Sequence, residues 1–157
     1  MKKLLFTAVL FAGTMFVQAQ ETKFGVKAGV DLATVKVKVL GSSVSASETG
    51  FFVGGFVDLA ITDKFSVQPE LLYVAITDSN FFSIPILGKY KVADKLALMA
   101  GPSLNYFSDF EEDKLKVNVD FGGSYDITEE IDINAKYSLG MGDIQVSGIF
   151  IGAGYKF

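Results

Sequence analysis

The sequence predicts an all-β fold, an eight-stranded antiparallel up-and-down transmembrane β-barrel that follows a cleaved signal peptide. Apolar and polar residues alternate through eight segments of roughly strand length, as expected where one face meets lipid. The last segment, Gly148–Phe157, has one wholly apolar face that ends in Tyr155 and Phe157. The beginning of the chain is typical of an export signal.

That signal begins with the basic segment Met1–Lys3, and the apolar run Leu4–Val17 follows it. The run is shorter than the roughly 20 apolar residues that a transmembrane helix needs. A Val-x-Ala pattern then predicts cleavage between Ala19 and Gln20. We therefore expect a signal peptide over residues 1–19 and one barrel domain over 20–157.

Composition excludes several classes of protein. The chain has 14 basic residues, all lysine, and 18 acidic ones, so losing Lys2 and Lys3 leaves 12 against 18, a net charge of about −6. An acidic, exported chain without a basic stripe is not expected to bind nucleic acid. No cysteine is present, which excludes disulfides and a lipid-anchored cysteine. The part that follows the signal has no helix-length apolar run, so the sequence does not predict transmembrane helices.

Alternation places the strands in order along the chain. The predicted strands are Lys23 to about Ala33, Gly50–Ile61, Phe65–Tyr73, Phe82–Val92, Leu96–Tyr106, Leu115–Asp126, Ile131–Leu139 and Gly148–Phe157. The turns after the second, fourth and sixth strands are short and charged, whereas most of the other connections are longer. Barrels of the outer membrane have this asymmetry, with short periplasmic turns and longer outer loops.

Four local features qualify this assignment. The alternation changes phase near Thr34, which predicts either a β-bulge or the end of the embedded part of the strand. Gly41–Ser47 is expected to be a serine-rich loop, and Gly140–Ser147 is expected to connect the last two strands. Pro69 and Pro102 would each remove a ladder donor, so we expect them at bulges or strained positions.

The two faces of the strands differ in a way that favours a membrane barrel over a soluble one. A soluble eight-stranded barrel buries its apolar face inside, whereas here the proposed interior carries the charges. Outward aromatic residues form two predicted girdles: Phe65, Tyr90, Tyr125, Tyr155 and Phe157 at the periplasmic rim, and Phe51, Tyr73, Phe82 and Tyr106 at the outer rim. Such girdles are typical of a lipid-facing surface.

The proposed lumen holds the residues with functional interest. Eight strands enclose an interior that side chains roughly fill, and buried charges there must pair. We expect a charge network that plugs the barrel, formed by Lys27, Asp58, Glu70, Lys89, Asp120 and Lys136. The alternative is a set of separate, hydrated charges around a narrow water column. The predicted apolar lining is small and consists of Phe52, Phe56, Phe81, Leu87, Met99, Phe107 and Phe150.

The composition also argues against catalysis. The sequence has no histidine, so nucleophiles activated by histidine are excluded, and the lack of cysteine removes thiol chemistry. The acidic segment 109–113 could attract divalent cations, but it lacks the spacing of a calcium loop, and a solvated charge run is the simpler interpretation. We predict no enzyme activity, no cofactor and no metal.

Several stretches resemble a family of small outer-membrane β-barrels of Bacteroidetes, known as PorT-like or porin-family proteins. The matching stretches are Phe24–Leu32, Gln68–Tyr73, Ile84–Tyr90, Ala100–Pro102, Tyr137–Ile144 and Gly152–Phe157. The resemblance covers essentially the whole chain after the signal and implies a barrel in a Gram-negative outer membrane. It specifies a fold more than a function, because most members have no assigned activity.

Together these features predict a monomeric, non-enzymatic barrel with a structural or surface-interaction role. Its expected partners are outer-membrane lipids and the barrel-assembly machinery, which would recognise the last strand through Tyr155 and Phe157. The alternative function is transport, by a narrow pore for small solutes or by a route for apolar molecules through the wall.

Overall fold

The structure, a computed structural model, describes residues 21–39, 42–77, 79–108, 114–142 and 144–157. Its eight strands form one closed antiparallel barrel in which each strand pairs with its neighbours in sequence, and β8 returns to β1. The strands are β1 (Glu21–Val39), β2 (Ser42–Ala60), β3 (Phe65–Ile76), β4 (Ser79–Lys91), β5 (Leu96–Phe107), β6 (Leu115–Asp126), β7 (Ile131–Gly140) and β8 (Ile144–Lys156). The predicted fold class is therefore confirmed.

No helix long and apolar enough to cross a membrane occurs in the residues just specified.

Three four-residue turns close one end of the barrel, at residues 61–64, 92–95 and 127–130. They share one hydrogen-bond pattern, because the N–H of the first turn residue donates to the carbonyl four residues later in each. Threonine reinforces two of them, since Thr62 accepts from the Phe65 N–H and Thr128 from the Ile131 N–H, both at 2.9 Å. The tight turns predicted after β2, β4 and β6 are therefore all present.

The outer face of the wall is apolar and exposed, which is the inverse of a soluble barrel. All nine residues of the two predicted aromatic girdles lie on this face, and Tyr73 contacts Phe82 at 5.3 Å between ring centroids. The inner face carries most of the buried polar and charged side chains. Strand alternation sorts the two sets because successive side chains point to opposite faces.

The first hairpin corrects two predictions. No loop begins at Ser42, because β2 starts there and pairs with β1 without a break from Val39–Ser42 to Glu21–Ala60. No bulge interrupts β1 near Thr34, which pairs with Ser47 through backbone and hydroxyl contacts. The change of phase in the alternation instead marks the point on β1 beyond which outward-facing positions are not required to be apolar. Beyond that point, backbone pairing of β1 with the serine-rich start of β2 continues to Val39–Ser42.

The predicted connection over residues 140–147 is also wrong. β7 continues to Gly140 and β8 begins at Ile144, which pairs with Val37 in the extended part of β1. Gly142 supports the tight reversal because its φ of 103° lies in the left-handed region that favours glycine. The last strand is therefore longer than its apolar face suggests.

The strand prolines do not lie at bulges either. The pairing register is the same on both sides of Pro69 and Pro102, so no residue is inserted. The ladder is instead interrupted beside each proline. A third proline, Pro85 in β4, points inward and is fully buried, and the sequence analysis did not identify it as a strand proline.

The barrel lumen as the candidate functional site

A buried carboxylate on β3 lies at the centre of the lumen. Glu70 accepts a hydrogen bond from the Lys27 ammonium at 2.5 Å and from the Gln68 side-chain amide at 2.6 Å. The Lys136 ammonium lies 3.5 Å from its other oxygen. Glu70, Lys27 and Lys136 are almost fully buried, so each charge depends on the others in place of water.

From Lys136 the contacts continue to β6. Its ammonium donates to Asp120 Oδ2 at 2.9 Å, while Asp120 Oδ1 accepts from the hydroxyls of Ser103 at 2.7 Å and Ser138 at 2.6 Å. Asn118 then donates to Ser138 Oγ at 2.9 Å. Side chains therefore join β3 to β5, β6 and β7 across the lumen, although β3 has no backbone pairing with any of them.

A second branch leads towards the turn end. Lys89 donates to the side-chain carbonyl of Gln68 and to the Asp58 carboxylate, both at 3.0 Å. The six residues of the predicted network, Lys27, Asp58, Glu70, Lys89, Asp120 and Lys136, thus lie in one connected set. Gln68 links the two branches, because its side chain contacts both Glu70 and Lys89. This link was not predicted, since nothing in the sequence indicates which polar residue bridges two ion pairs.

Lys156 forms an ion cluster beside the network that was not predicted from the sequence. Lys156 pairs with Asp126 at 2.7 Å and lies 3.5 Å from Asp132, which accepts from the Asn134 amide at 2.9 Å. Asp31 belongs to neither set. It is buried, and its Oδ1 has no hydrogen-bond partner among the described protein atoms.

The outer half of the lumen contains an apolar cluster, beside which Asp31 and Asn118 are also buried. We call its core the apolar plug, which consists of Phe52, Leu72, Val74, Phe81, Phe107, Val146 and Phe150. Aromatic pairs hold it together, with ring centroids 5.4 Å apart for Phe52–Phe150 and 4.5 Å apart for Phe81–Phe107. The Lys136 ammonium lies 4.9 Å from the Phe150 ring, so the plug and the charge network are in direct contact.

All seven residues of the predicted apolar lining are buried inside the barrel. Leu72, Val74 and Val146 were missed. The stretch 71–74 reads Leu-Leu-Tyr-Val, which is apolar on both faces, so alternation cannot distinguish lumen from lipid there. Apolar packing therefore closes more of the interior than the alternation predicts.

The turn end of the lumen opens into a cavity of about 780 Å³. Six lysines and six acidic residues line it, so its charge favours neither anions nor cations. In the part of the chain that the structure describes, no group of three or more acidic residues is placed to hold a metal ion. The acidic segment 109–113 and the predicted cleavage site at Ala19 and Gln20 lie outside the described residues.

The predicted assembly signal lies at the lipid-facing end of β8. Tyr155 and Phe157 both point outward, with ring centroids 6.2 Å apart. The Phe157 N–H donates to the carbonyl of Phe24 at 2.9 Å, which attaches the last residue to β1. The aromatic side chain of Phe157 remains largely exposed.

Solved structures with the same architecture share little sequence with this chain. The attachment invasion locus protein Ail of Yersinia pestis has 16% identity and a TM-score of 0.57, covering 88% of this chain and 100% of Ail. Neisserial surface protein A has 17% identity and a TM-score of 0.61 over the same shares of the two chains. A de novo designed transmembrane β-barrel has 17% identity and a TM-score of 0.56, covering 88% of this chain and 99% of the design. These matches concern the fold alone.

No curated protein sequence matches the chain. The family model described as outer membrane protein beta-barrel domain, however, matches residues 4–157. That match includes all eight strands and therefore the lumen described above. The chain belongs to the outer membrane protein β-barrel domain family.

Proposed function

We propose that the protein is a non-enzymatic outer-membrane barrel that acts through its outer surface and does not conduct solutes. The observation that carries this proposal is the filled lumen. The charge network crosses its middle, the apolar plug occupies its outer half, and Lys136 contacts both. A solute would have to separate several buried ion pairs and then displace packed aromatic rings.

Single-channel recording tests the closed lumen. Protein refolded into planar lipid bilayers should show no steady conductance, because the packed aromatic rings of the apolar plug obstruct the lumen. Folding would be verified by the heat-dependent band shift that closed barrels show on gels. Steady, resolvable conductance from folded protein would overturn the proposal and favour the alternative of a narrow pore for small solutes.

The surface role is supported by the length of the first hairpin. β1 and β2 have 19 residues each, whereas the other strands have between 10 and 13. Residues Ser42–Thr49 of β2 lie beyond the first β2–β3 pair, Phe51–Ala75, and all eight side chains are exposed. At about 3.3 Å per residue this part is about 26 Å long. The edge of this β2 segment that faces away from β1 has no β3 partner, and it can pair with an extended segment of another protein, a common mode of recognition.

Cysteine labelling tests whether this hairpin lies outside the cell. The natural chain has no cysteine, so Ser43→Cys provides a unique thiol. We expect a membrane-impermeant maleimide to label it in intact cells, whereas Lys64→Cys in a short turn should react only after the outer membrane is permeabilised. The reverse labelling pattern would show that the hairpin faces the periplasm and would remove the surface role.

We further propose the context in which this barrel works. The PorT-like stretches support a Bacteroidetes source, and the first 19 residues support export by a signal peptide that is removed before residue 20. Outer-membrane lipids and the barrel-assembly machinery are its expected partners, the latter through Tyr155 and Phe157. We propose a monomer that binds no nucleic acid. Ail, whose name describes attachment, shows that a barrel of this fold can belong to the surface-interaction class.

A further inference from the structure

A groove on the outside of the wall lies where β1, β2, β7 and β8 extend beyond the aromatic girdle at the outer rim. It encloses about 380 Å³. Its lining combines apolar side chains, hydroxyl groups and one ammonium group. We call its outward-facing residues the rim groove, which consists of Leu32, Thr34, Lys36, Ser47, Thr49, Tyr137, Ser147 and Ile149.

Strand register arranges the rim groove in three rows across the wall. In order along β1 the rows are Thr49–Leu32–Ile149–Tyr137, then Ser47–Thr34–Ser147, then Lys36. Neighbours within a row lie on adjacent strands about 5 Å apart, and successive rows are about 7 Å apart. The other lining residues, Ala33, Glu48 and Gly148, lie between the first two rows, where strand alternation directs side chains to the lumen face.

The rim groove lies at the level of the lipid headgroups. Its first row is two residues along β1 from the Val30–Phe51 pair, and Phe51 belongs to the aromatic girdle at the outer rim. Such girdles mark the boundary between acyl chains and headgroups. Apolar Leu32 and Ile149 thus lie beside the ends of the acyl chains that meet the headgroups, and the hydroxyl row lies among the headgroups themselves.

The second row can donate hydroxyl protons to a ligand. The Thr34 and Ser47 hydroxyl oxygens are 3.1 Å apart, and the hydrogen bond between them uses only one of their two protons. Ser147 is 8% exposed, and its Oγ accepts from the Gly140 N–H at 3.1 Å. That bond fixes the position of the hydroxyl and leaves its own proton to be donated. A ligand with several acceptor oxygens would find donors on adjacent strands.

Lys36 determines the charge of the ligand. It is the only charged member of the eight described residues of the rim groove, and it is exposed beyond the hydroxyl row. Serine, threonine and lysine side chains all donate to phosphate oxygens, and lysine binds phosphate as a point charge. The apolar row beneath them has no use in binding a free ion, but it suits the chains of a lipid.

We propose that the rim groove binds the anionic phosphate headgroup of an outer-leaflet lipid. Lys36 and the hydroxyls of Thr34 and Ser147 hold the phosphate, and the lipid chains lie against Leu32 and Ile149. This inference rests on the proposed orientation, in which the first hairpin lies outside the cell, and it names a site for the lipid partner. A lipid bound there attaches the base of the hairpin to the membrane surface.

Nuclear magnetic resonance of the full barrel tests the site. The protein would be studied in phosphatidylcholine nanodiscs with increasing fractions of phosphatidic acid, and the amide shift of Ser147 would report binding. We expect Lys36→Gln to raise the fraction needed for half-saturation about tenfold, as for the loss of one charge-assisted hydrogen bond. Lys114→Gln is the matched control, because Lys114 is exposed just before β6. Equal effects of the two substitutions would show attraction by general surface charge and overturn the proposal.

The hydroxyl row is tested by Thr34→Val, which keeps the shape of the side chain and removes its donor. We expect several-fold weaker binding of phosphatidic acid, and Thr34→Ser should restore it. A silent Thr34→Val variant would contradict the site. Inorganic phosphate distinguishes a lipid from the free ion. Millimolar phosphate should not reverse the shift, and reversal by phosphate alone would overturn the assignment to a lipid.

Both leaflets of a nanodisc are accessible, so these measurements do not depend on the orientation of the barrel in a cell. Absence of phosphatidic acid binding would therefore sink the rim groove proposal while leaving the conductance and cysteine-labelling results unchanged. Failure of the site is thus distinguishable from failure of the proposed function.

Discussion

Replacing Glu70 with lysine is expected to lower the free energy of unfolding by about 3–5 kcal/mol, the range seen when one partner of a buried ion pair is removed. Glu70 accepts from Lys27 and Gln68 and lies 3.5 Å from the Lys136 ammonium. The substitution removes the carboxylate that both lysines share and adds a third cation beside them. Urea unfolding of the refolded protein in lipid vesicles, followed by tyrosine fluorescence, measures the change.

The control for this experiment is Glu48→Lys, which makes the same change of charge on the exposed part of β2. Surface charges of this kind contribute little to stability, so its unfolding curve should coincide with that of the unmodified protein. If Glu70→Lys were equally silent, the lumen charges would act separately, as hydrated groups around a water column. The charge network would then have no role in closing the barrel.

Phe52→Ala is the second change with a large expected effect, again about 3–5 kcal/mol in the free energy of unfolding. Phe52 is 3% exposed and contacts Phe150 in the apolar plug, whereas its neighbour Phe51 is 68% exposed on the outer face. Truncation at residue 52 leaves a cavity in a packed interior. The same truncation at residue 51 removes contacts with the surroundings only, so its cost should be well under half as large.

Comparing the two phenylalanine variants in one urea series distinguishes plug packing from general loss of aromatic surface. Equal losses of stability would mean that the outer half of the lumen is loosely filled. A specific loss at Phe52 would support the packed plug and, with it, the closed lumen.

The strands of the barrel could be predicted from the sequence because contact with lipid requires apolar side chains on one face of every strand. β6, for example, begins at Leu115 and ends at Asp126 as predicted, since apolar and polar residues alternate there almost without exception. This requirement for apolar side chains does not apply where a strand has no contact with lipid. Beyond Thr34 the outer face of the hairpin is not selected for apolar residues, so a strand pair was mistaken for a loop.

The lumen could be predicted only in part, for a different physical reason. Alternation shows that Glu70 and Lys136 both point inward, but their contact joins β3 to β7 across the barrel. Such a contact depends on the tilt and stagger of all the strands between them, which no local pattern encodes. The ladder interruption beside Pro85 was not predicted, because only Pro69 and Pro102 were identified from the sequence as strand prolines.

The pairing of β1 with β8 also determines the order in which the protein can assemble. β1 pairs with β8 from Gly25–Lys156 to Val37–Ile144, so the first strand to be synthesised waits for the last one. Until then both strands have unpaired edges, which lipid does not tolerate. Insertion of single hairpins, one after another, would leave such an edge in the bilayer at every stage. Closure of the barrel therefore requires the whole chain, and a pairing between strands so far apart in sequence is expected to form slowly.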